Sequence, residues 1–508
     1  MLICILGILS SQAQYLYGLD PTFAVNGIYH GDTGEIRKMV VQPDGKIIIT
    51  DGEIKYIYEG PTAAMRFNSD GSIDNSFAIN GRFDIPPSFG YFSVQMGSLC
   101  LQPDGKIVVG GSVNVASSSN EDLYLIRLKA NGELDSSFGI NGNVITGLGG
   151  NERITSIALQ SDGKIVVCGN WQGFDNNIFV ARYQTNGALD SSFGTNGMIW
   201  SGWNNWGFTY PYASNIAAMP DGRIIIGGNA HVDALGGTTA VIAVRFRTNG
   251  SLDSSFNYTG VAYTQDNLPG LLYCRAMCLQ PDGKVVLGIY ADSIAVVRFD
   301  TSGQLDNSFG TNGLAKLDPA GKVLDMQLQP DGKILLATNP DAITIAYDSC
   351  YAIYRVTQDG KKDTSFGIKG KVQTRISNEL TMLGAVAVQT DGKLLAGGSY
   401  VPAGTKYQRI MLARYTPDAT VAVSTIDLEN DITVYPNPAN DFIYIDPPLR
   451  QSIQQLSLYS FDGKLLLTQT FPHIDQLATK GLANGVYFLK LHLANHQNLT
   501  KKIIIQKN

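Results

Sequence analysis

The sequence Gln102-Pro103-Asp104-Gly105-Lys106, followed by Ile107-Val108-Val109-Gly110, decides the fold of this chain. An Asp-Gly pair tolerates the positive φ angles of a tight hairpin, so the stretch predicts two antiparallel strands joined by a short turn. The turn recurs at intervals of 49–61 residues along the 508-residue chain. Its aspartates are Asp44, Asp104, Asp162, Asp221, Asp282, Asp331 and Asp391. Seven similar units of this length indicate a repeat protein.

Two further elements accompany the turn, and each also occurs seven times. One is Leu-Asp-Ser-Ser-Phe-Gly-x-Asn-Gly or a variant of it, with the phenylalanines Phe23, Phe77, Phe138, Phe193, Phe256, Phe309 and Phe366. The other is an arginine that ends an apolar strand, at Arg66, Arg127, Arg182, Arg245, Arg298, Arg355 and Arg414. The last unit stops after Arg414, and the spare phenylalanine element is N-terminal, at residues 19–23. If the last unit lies beside the first, the N-terminal phenylalanine element completes the last unit. This favours a closed ring over an open β-solenoid.

Each unit holds four strand-like runs, which in the third unit are residues 143–146, 153–160, 164–169 and 177–183. The run at 164–169 is almost wholly apolar, and such a strand is buried on both faces of its sheet. The sequence therefore predicts an all-β fold, a seven-bladed β-propeller of four-stranded blades. In these repeats residues 19–418 resemble the delta-60 repeat family. The resemblance implies a propeller-like fold and leaves the function open.

The C-terminal residues 431–508 follow another pattern, and residues 419–430 read as a linker. Short alternating strands with a hairpin at 461–464 predict a small β-sandwich. The segment resembles the type A C-terminal sorting domain of type IX secretion in Bacteroidetes. The residues that carry the resemblance are Tyr435, Pro436, Asn437, Pro438, Gly485, Tyr487, Lys501 and Lys502. The resemblance implies the secretion machinery and its sortase as partners, cleavage in the linker, and attachment to surface polysaccharide; an ordinary binding module is the alternative.

The N-terminal residues 1–13 read as a signal peptide, because a short apolar run precedes Ser11-Gln12-Ala13. The usual basic residues are missing, and a buried first strand is the alternative. The mature propeller would then span residues 14–418. No later stretch has the roughly 18 apolar residues that span a bilayer. Both termini thus predict a protein that is secreted or attached to the outer cell surface.

The composition argues against several classes of function. A net charge of −6 and a pI near 5.4 disfavour nucleic acid and anionic membranes as partners. The cysteines do not form a disulfide framework, and the five histidines match no metal-ligand spacing. The aspartate-rich loop 68–74 lacks the ligands of a calcium site. We expect no cofactor, no metal and a monomeric chain.

Binding is predicted on one face of the ring. Strand direction alternates within a blade, so the repeated motifs share one face and the variable loops share the other, where binding usually resides. The variable loops carry Trp171, Trp203, Trp206 and Tyr210. Exposed aromatic rings beside asparagines suit sugar rings, which predicts a non-catalytic glycan-binding module. The alternative for these side chains is packing of the loops onto the scaffold.

Two other functions remain open at this point. One is a protein-binding adhesin or structural surface component. The other is a propeller-type glycoside hydrolase or lyase, for which His231, Asp233, Asp32 and Glu35 are the candidate residues. None of these comes with an evident nucleophile, oxyanion donor or third metal ligand, so no catalytic residue is predicted.

Overall fold

The protein consists of β-strands in two compact units, Met1–Ala419 and Thr420–Asn508. The computed structural model describes residues 16–51, 55–56, 62–86, 89–115, 120–172, 177–201, 208–232, 238–264, 273–290, 293–319, 321–340, 350–375, 380–402, 405, 407–418, 434–435, 439, 442–445, 453–461, 463–470, 476–493 and 498–507. These residues form 37 strands, numbered in chain order. None of the residues so described forms a helix long and apolar enough to cross a membrane.

The first unit contains seven antiparallel sheets, the blades of the predicted propeller. Their first strands are β3 (Ile36–Val41), β8 (Tyr91–Leu101), β12 (Asn151–Leu159), β16 (Phe208–Ala218), β20 (Tyr273–Leu279), β24 (Gly321–Leu328) and β28 (Leu380–Val388). Their second strands are β4 (Ile47–Asp51), β9 (Ile107–Val115), β13 (Ile165–Gln172), β17 (Ile224–Val232), β21 (Val285–Tyr290), β25 (Ile334–Pro340) and β29 (Leu394–Val401). First strands of successive blades contact one another, and β28 contacts β3, so the first strands are innermost and the ring is closed.

The outer half of each blade follows the same order. The third strands are β6 (Thr62–Phe67), β10 (Glu121–Leu128), β14 (Asn177–Tyr183), β18 (Thr238–Phe246), β22 (Ser293–Phe299), β26 (Cys350–Val356) and β30 (Arg409–Asp418). The fourth strands of blades 1 to 6 are β7 (Arg82–Asp84), β11 (Asn143–Thr146), β15 (Met198–Trp200), β19 (Val261–Tyr263), β23 (Leu314–Pro319) and β27 (Lys371–Arg375). A short strand β5 (Lys55–Tyr56) adds to blade 2 beside β8.

Blade 7 takes its outer strands from the other end of the chain. Strands β1 (Leu16–Leu19) and β2 (Ile28–Thr33) both pair with β30, with Leu19 opposite Tyr415 and Ile28 opposite Ala413. The N-terminal copy of the phenylalanine element thus fills the gap left by the truncated last unit. The seven-bladed all-β architecture predicted from the repeats is confirmed.

The four strands of one sequence unit, however, do not form one blade. The run at 143–146 is the outer strand β11 of blade 2, paired with β10, whereas 153–160 and the two runs after it belong to blade 3. The turn before β11 reverses the chain, so β11 runs antiparallel to β10 and pairs with it. The crossing to the next blade therefore falls between the first and second runs of each unit.

The Asp-Gly turns form the expected hairpins. Gly163 has φ = +83°, and strand β13 after it is buried from Ile165 to Cys168. Lys164 of the hairpin reaches Asp190 of the phenylalanine turn at 3.3 Å, so the two motifs lie on one face of the ring. We call it the hairpin face, and we call the opposite face, where second strands end and first strands begin, the variable face.

On the hairpin face, six of the arginines in the described residues join their blade to the next by a hydrogen bond to a backbone carbonyl. In blade 3, Arg182 donates to Asp190 at 2.7 Å and to the carbonyl of Thr248 in blade 4 at 2.6 Å. Its guanidinium lies 4.5 Å from the centre of the Phe193 ring. We call this set of contacts the arginine staple. The guanidinium-on-phenylalanine contact recurs at Arg66, Arg127, Arg245, Arg298, Arg355 and Arg414.

Every innermost strand contains a β-bulge at the same place. The register shifts by one residue, for example between Ile154 and Ser156, and the extra residue is then Thr155. The seven bulge residues are Arg37, Gly97, Thr155, Ser214, Arg275, Leu324 and Gly384. Bulges redirect side chains, and at this position Thr155 bonds to the carbonyl of Ala213 in the next blade.

The second unit has two sheets around its own core. One contains β31 (Val434–Tyr435), β32 (Phe442–Ile445) and β35 (Gln476–Ala478); the other contains β34 (Leu465–Thr470), β33 (Ile453–Ser460), β36 (Gly485–Leu493) and β37 (Asn498–Ile505). The core includes Ile443, Leu458, Leu489 and Ile503.

Candidate binding site on the variable face

A polar pocket of about 340 Å³ opens on the variable face between blades 2, 3 and 4. This volume lies at the small end of the range of ligand pockets, which is roughly 300–1,000 Å³. The pocket is lined by Asn114, Glu121, Asn151, Arg153, Thr155, Asn170 and Tyr212. These residues come from strand ends in three blades, so only the folded ring brings them together.

A bidentate ion pair forms one wall of the pocket. Arg153 donates to both oxygens of Glu121, at 3.1 and 2.9 Å from the same guanidinium nitrogen. The amide of Glu121 donates in turn to Asn151 at 3.0 Å. Both charged side chains are partly exposed, so they keep hydrogen-bonding capacity for a polar ligand in the pocket.

Asn170 clamps the opposite wall to the scaffold. Its amide nitrogen donates to the carbonyl of Ala213 at 3.0 Å, and its oxygen accepts from the amide of Ala213 at 2.8 Å. Asn339 makes the same pair of bonds with Leu383 between blades 6 and 7, which marks this contact as structural. The clamp fixes strand β16 and with it the neighbouring Tyr212, whose side chain is 45% exposed.

Tyr210 is presented to solvent two residues before Tyr212. Its φ is +47°, within an irregular stretch of β16 where the register with β17 shifts. The side chain is 62% exposed, and the edge of its ring lies against His231, with 5.5 Å between ring centres. An exposed aromatic ring held by a neighbouring ring suits stacking on the C–H face of a sugar.

The other aromatic candidates differ from Tyr210. Trp171 is half-buried and meets Trp200 edge to face, with 6.4 Å between ring centres; Trp200 in turn lies beside Phe179. This arrangement resembles packing onto the scaffold more than an open platform. Trp203 and Trp206 lie outside the described residues.

Two carboxyl groups near the pocket have raised pKa values, and the sequence alone did not single them out. Burial raises the pKa of Glu152, and the charge of Asp122 adds to this, while hydrogen bonds from the backbone amides of Gly150 and Leu148 oppose it. Burial also raises the pKa of Asp122. Glu152 is fully buried, so it does not reach a ligand on the surface. The only sequence signal was its place two residues after the glycine-rich run 147–150.

The residues considered for catalysis are not assembled into one group. Glu35 pairs with Arg37 in blade 1, whereas His231 contacts Tyr210 in blade 4. Asp233 lies outside the described residues. Within the ranges that the structure describes, no three His, Cys, Asp or Glu side chains are placed to hold a metal ion.

Some of the residues that carry the resemblance to a sorting domain have a structural role in the second unit. Tyr487 is buried in the core and donates to the carbonyl of Ala483 at 2.8 Å. Gly485 begins β36. Lys501 and Lys502 are on β37, where they lie opposite Leu489 and Phe488 of β36. Tyr435 pairs with Tyr444 at the start of the other sheet, and residues 436–438 lie outside the described residues.

Both parts of the chain match known families. Residues 433–506 match the secretion system C-terminal sorting domain. The chain is a secreted, sorted β-propeller. Its sorting domain implies interaction with the secretion machinery and a location outside the cell or on its surface. The repeats match the family described as "Domain of unknown function (DUF5122) beta-propeller" at residues 42–77, 102–138, 160–193, 220–256, 280–309 and 329–366. No curated protein matches the chain in sequence.

Several solved structures are similar at low identity. PorZ of Porphyromonas gingivalis, an essential surface component of the type IX secretion system, is 12% identical with a TM-score of 0.41, over 93% of this chain and 59% of PorZ. A protein of unknown function from Dyadobacter fermentans is 12% identical with a TM-score of 0.39, over 63% of this chain and 94% of its own. A protein of unknown function from Bacteroides caccae is 12% identical with a TM-score of 0.34, over 68% of this chain and 94% of its own. This sorted propeller therefore spans less than two thirds of the length of PorZ, and these TM-scores carry no argument about its ligand.

Proposed function

We propose that this protein is a surface-displayed, non-catalytic propeller that binds glycans through its variable face. The observation that carries the proposal is the pocket between blades 2, 3 and 4. It combines an exposed tyrosine, Tyr212, with a fixed array of amide and charged groups that includes Asn151, Glu121 and Arg153. Sugars present apolar C–H faces and many hydroxyls, and this mixture of groups complements both.

The exposed Tyr210 extends the aromatic surface beside Tyr212, and the loop with Trp203 and Trp206 follows β15 in the chain just before them. The non-catalytic part of the proposal is supported by the full burial of Glu152, the carboxyl group whose raised pKa would otherwise suit a general acid. In this proposal the protein is a monomer, and its sorting domain provides the attachment to surface polysaccharide.

The test is glycan-array binding by the full chain. A Tyr210→Ala/Tyr212→Ala double variant is expected to bind at least tenfold more weakly, which corresponds to about 1.4 kcal/mol. A Trp203→Ala/Trp206→Ala variant tests these two tryptophans in the same way. The matched control is Tyr258→Ala, because Tyr258 is 89% exposed in a phenylalanine turn on the hairpin face. Equal binding by all four proteins, or release of glycan fragments detected by mass spectrometry, would contradict the proposal.

A further inference from the structure

The seven innermost strands together carry charge of the opposite sign to the whole protein. The chain has a net charge of −6. The seven innermost strands nevertheless contain more cations than anions. Their cations are Arg37, Lys38, Arg153, Arg275 and Lys322, and their anions are Glu152 and Asp325. A cleft lined with one sign of charge concentrates ligands of the other sign.

Three of these cations are neutralised locally. Arg37 pairs with Glu35, Arg153 with Glu121, and Lys38 with Asp325 at 2.7 Å. In the last pair, Asp325 also accepts the amide of Val386 at 3.0 Å, so it joins blades 6, 7 and 1. The Lys38–Asp325 pair therefore serves the scaffold.

Arg275 and Lys322 have no carboxylate partner in the described part of the chain. Arg275 is the exposed bulge residue of β20, and Lys322 is the second residue of the adjacent strand β24. The equivalent bulge residue in blade 3, Thr155, donates to Ala213 of the next innermost strand at 2.9 Å. Arg275 occupies the same bulge position in β20, whose next innermost neighbour is β24.

Two tyrosines complete this group. Tyr273 lies opposite Tyr290 in the β20–β21 pair, and their rings stack with 6.4 Å between centres and 21° between planes. The ammonium of Lys322 lies 5.2 Å from the centre of the Tyr290 ring. Tyr273 is 43% exposed. Blades 5 and 6 thus present an aromatic surface beside two cations.

We infer that Tyr273, Arg275, Tyr290 and Lys322 form a second subsite that binds an acidic, carboxylate-bearing sugar. The inference rests on the proposed glycan-binding function and specifies its ligand class. The tyrosine rings pack against the C–H face of the sugar, while Arg275 and Lys322 bind its carboxylate in charge-assisted hydrogen bonds. Neither cation has to leave a carboxylate of the described residues when it binds the ligand.

The experiment is isothermal titration of the full chain with a galacturonic acid trisaccharide and with its carboxyl-reduced, neutral counterpart. The wild type is expected to bind the acidic sugar at least tenfold more tightly, and added salt to weaken only that binding. An Arg275→Gln/Lys322→Gln variant is expected to lose the preference while still binding the neutral sugar. The matched control is Lys129→Gln/Lys361→Gln, which removes two exposed cations from the hairpin face.

Two results would overturn the inference. One is equal affinity of the wild type for the acidic and neutral sugars. The other is a preference that survives in the Arg275→Gln/Lys322→Gln variant. In both cases glycan binding lost through Tyr210→Ala/Tyr212→Ala leaves the proposed function standing, whereas the absence of any glycan binding defeats both.

Discussion

At the residue scale, the arginine staple makes the stability of a blade boundary depend on the ionisation of one aspartate. Burial alone would raise the pKa of Asp190, but hydrogen bonds from Ser192 and Lys164 and the charge of Arg182 lower it to about 2. Asp20, at the boundary between the last and first blades, has a pKa of about 2 as well, where burial is again outweighed, here by Thr22 and Arg414. Each staple therefore depends on an ionised aspartate with little access to water.

We predict that Asp190→Asn lowers the free energy of unfolding at neutral pH by about 3 kcal/mol, because it leaves the buried Arg182 without its counter-charge. The control Asp162→Asn removes a half-exposed aspartate from the neighbouring hairpin and is expected to cost less than about 1 kcal/mol. Urea unfolding followed by tryptophan fluorescence measures both. Equal losses in the two variants would contradict the prediction.

The same carboxylates predict how stability depends on pH. The folded-state pKa lies below the ordinary value of 3.8, so the unfolded chain binds protons first as the pH falls. The stabilisation is complete above about pH 4 and is lost toward pH 2. Urea midpoints at pH 6, 4, 3 and 2 should fall steeply across the last two steps, and less steeply in Asp190→Asn. A flat profile below pH 4 would refute this.

At the scale of elements, the ring is closed by two N-terminal strands. Besides the pairing of β1 and β2 with β30, Arg414 binds Asp20 at 2.8 Å and lies 4.7 Å from the Phe23 ring centre. The backbone amide of Ala24 donates to the backbone carbonyl of Asp70 in blade 1 at 2.7 Å. The first residues of the propeller thus supply both the outer edge of blade 7 and its staple to blade 1.

We predict that a mature chain beginning at residue 35 forms oligomers or aggregates, because β30 then becomes an unpaired edge strand. The control is a chain with β1 and β2 intact and Phe193→Ala, which weakens an internal boundary without opening an edge. Light scattering after size-exclusion chromatography distinguishes them. A shortened chain that stays monomeric and melts at the wild-type temperature would show that closure does not depend on these strands.

At the scale of the whole molecule, the chain combines two units with separate hydrophobic cores. The second unit matches a secretion sorting domain and encloses its own core of ten buried residues, including Leu456 and Ile505. Because each unit buries its own apolar side chains, the sorting domain can be removed without opening the core of the propeller.

We predict that deletion of residues 419–508 keeps the propeller folded but retains it inside a bacterium that has a type IX secretion system. A fusion of residues 419–508 to a reporter with a signal peptide should reach the medium or the cell surface. The control is the full chain with Tyr258→Ala, which should be exported normally. Export of the shortened propeller, measured by cell fractionation and immunoblotting, would contradict the prediction.

The sequence by itself determined the fold class, the number of blades, the closure of the ring and the sorting domain. These follow from local signals: the Asp-Gly turn, the phenylalanine element and the strand-ending arginine repeat within each unit, and the spare N-terminal copy shows that the ends meet. It also predicted which face carries the variable loops, since strand direction alternates within a blade.

Only the tertiary structure decided where the blade boundaries fall and which residues meet on the variable face. Glu121 and Tyr212 line one pocket although 90 residues separate them in the chain, and Lys322 of blade 6 lies over the ring of Tyr290 of blade 5. These positions are set by the packing of one blade against the next. Because such packing acts between residues far apart in the chain, no local pattern in the sequence reports it.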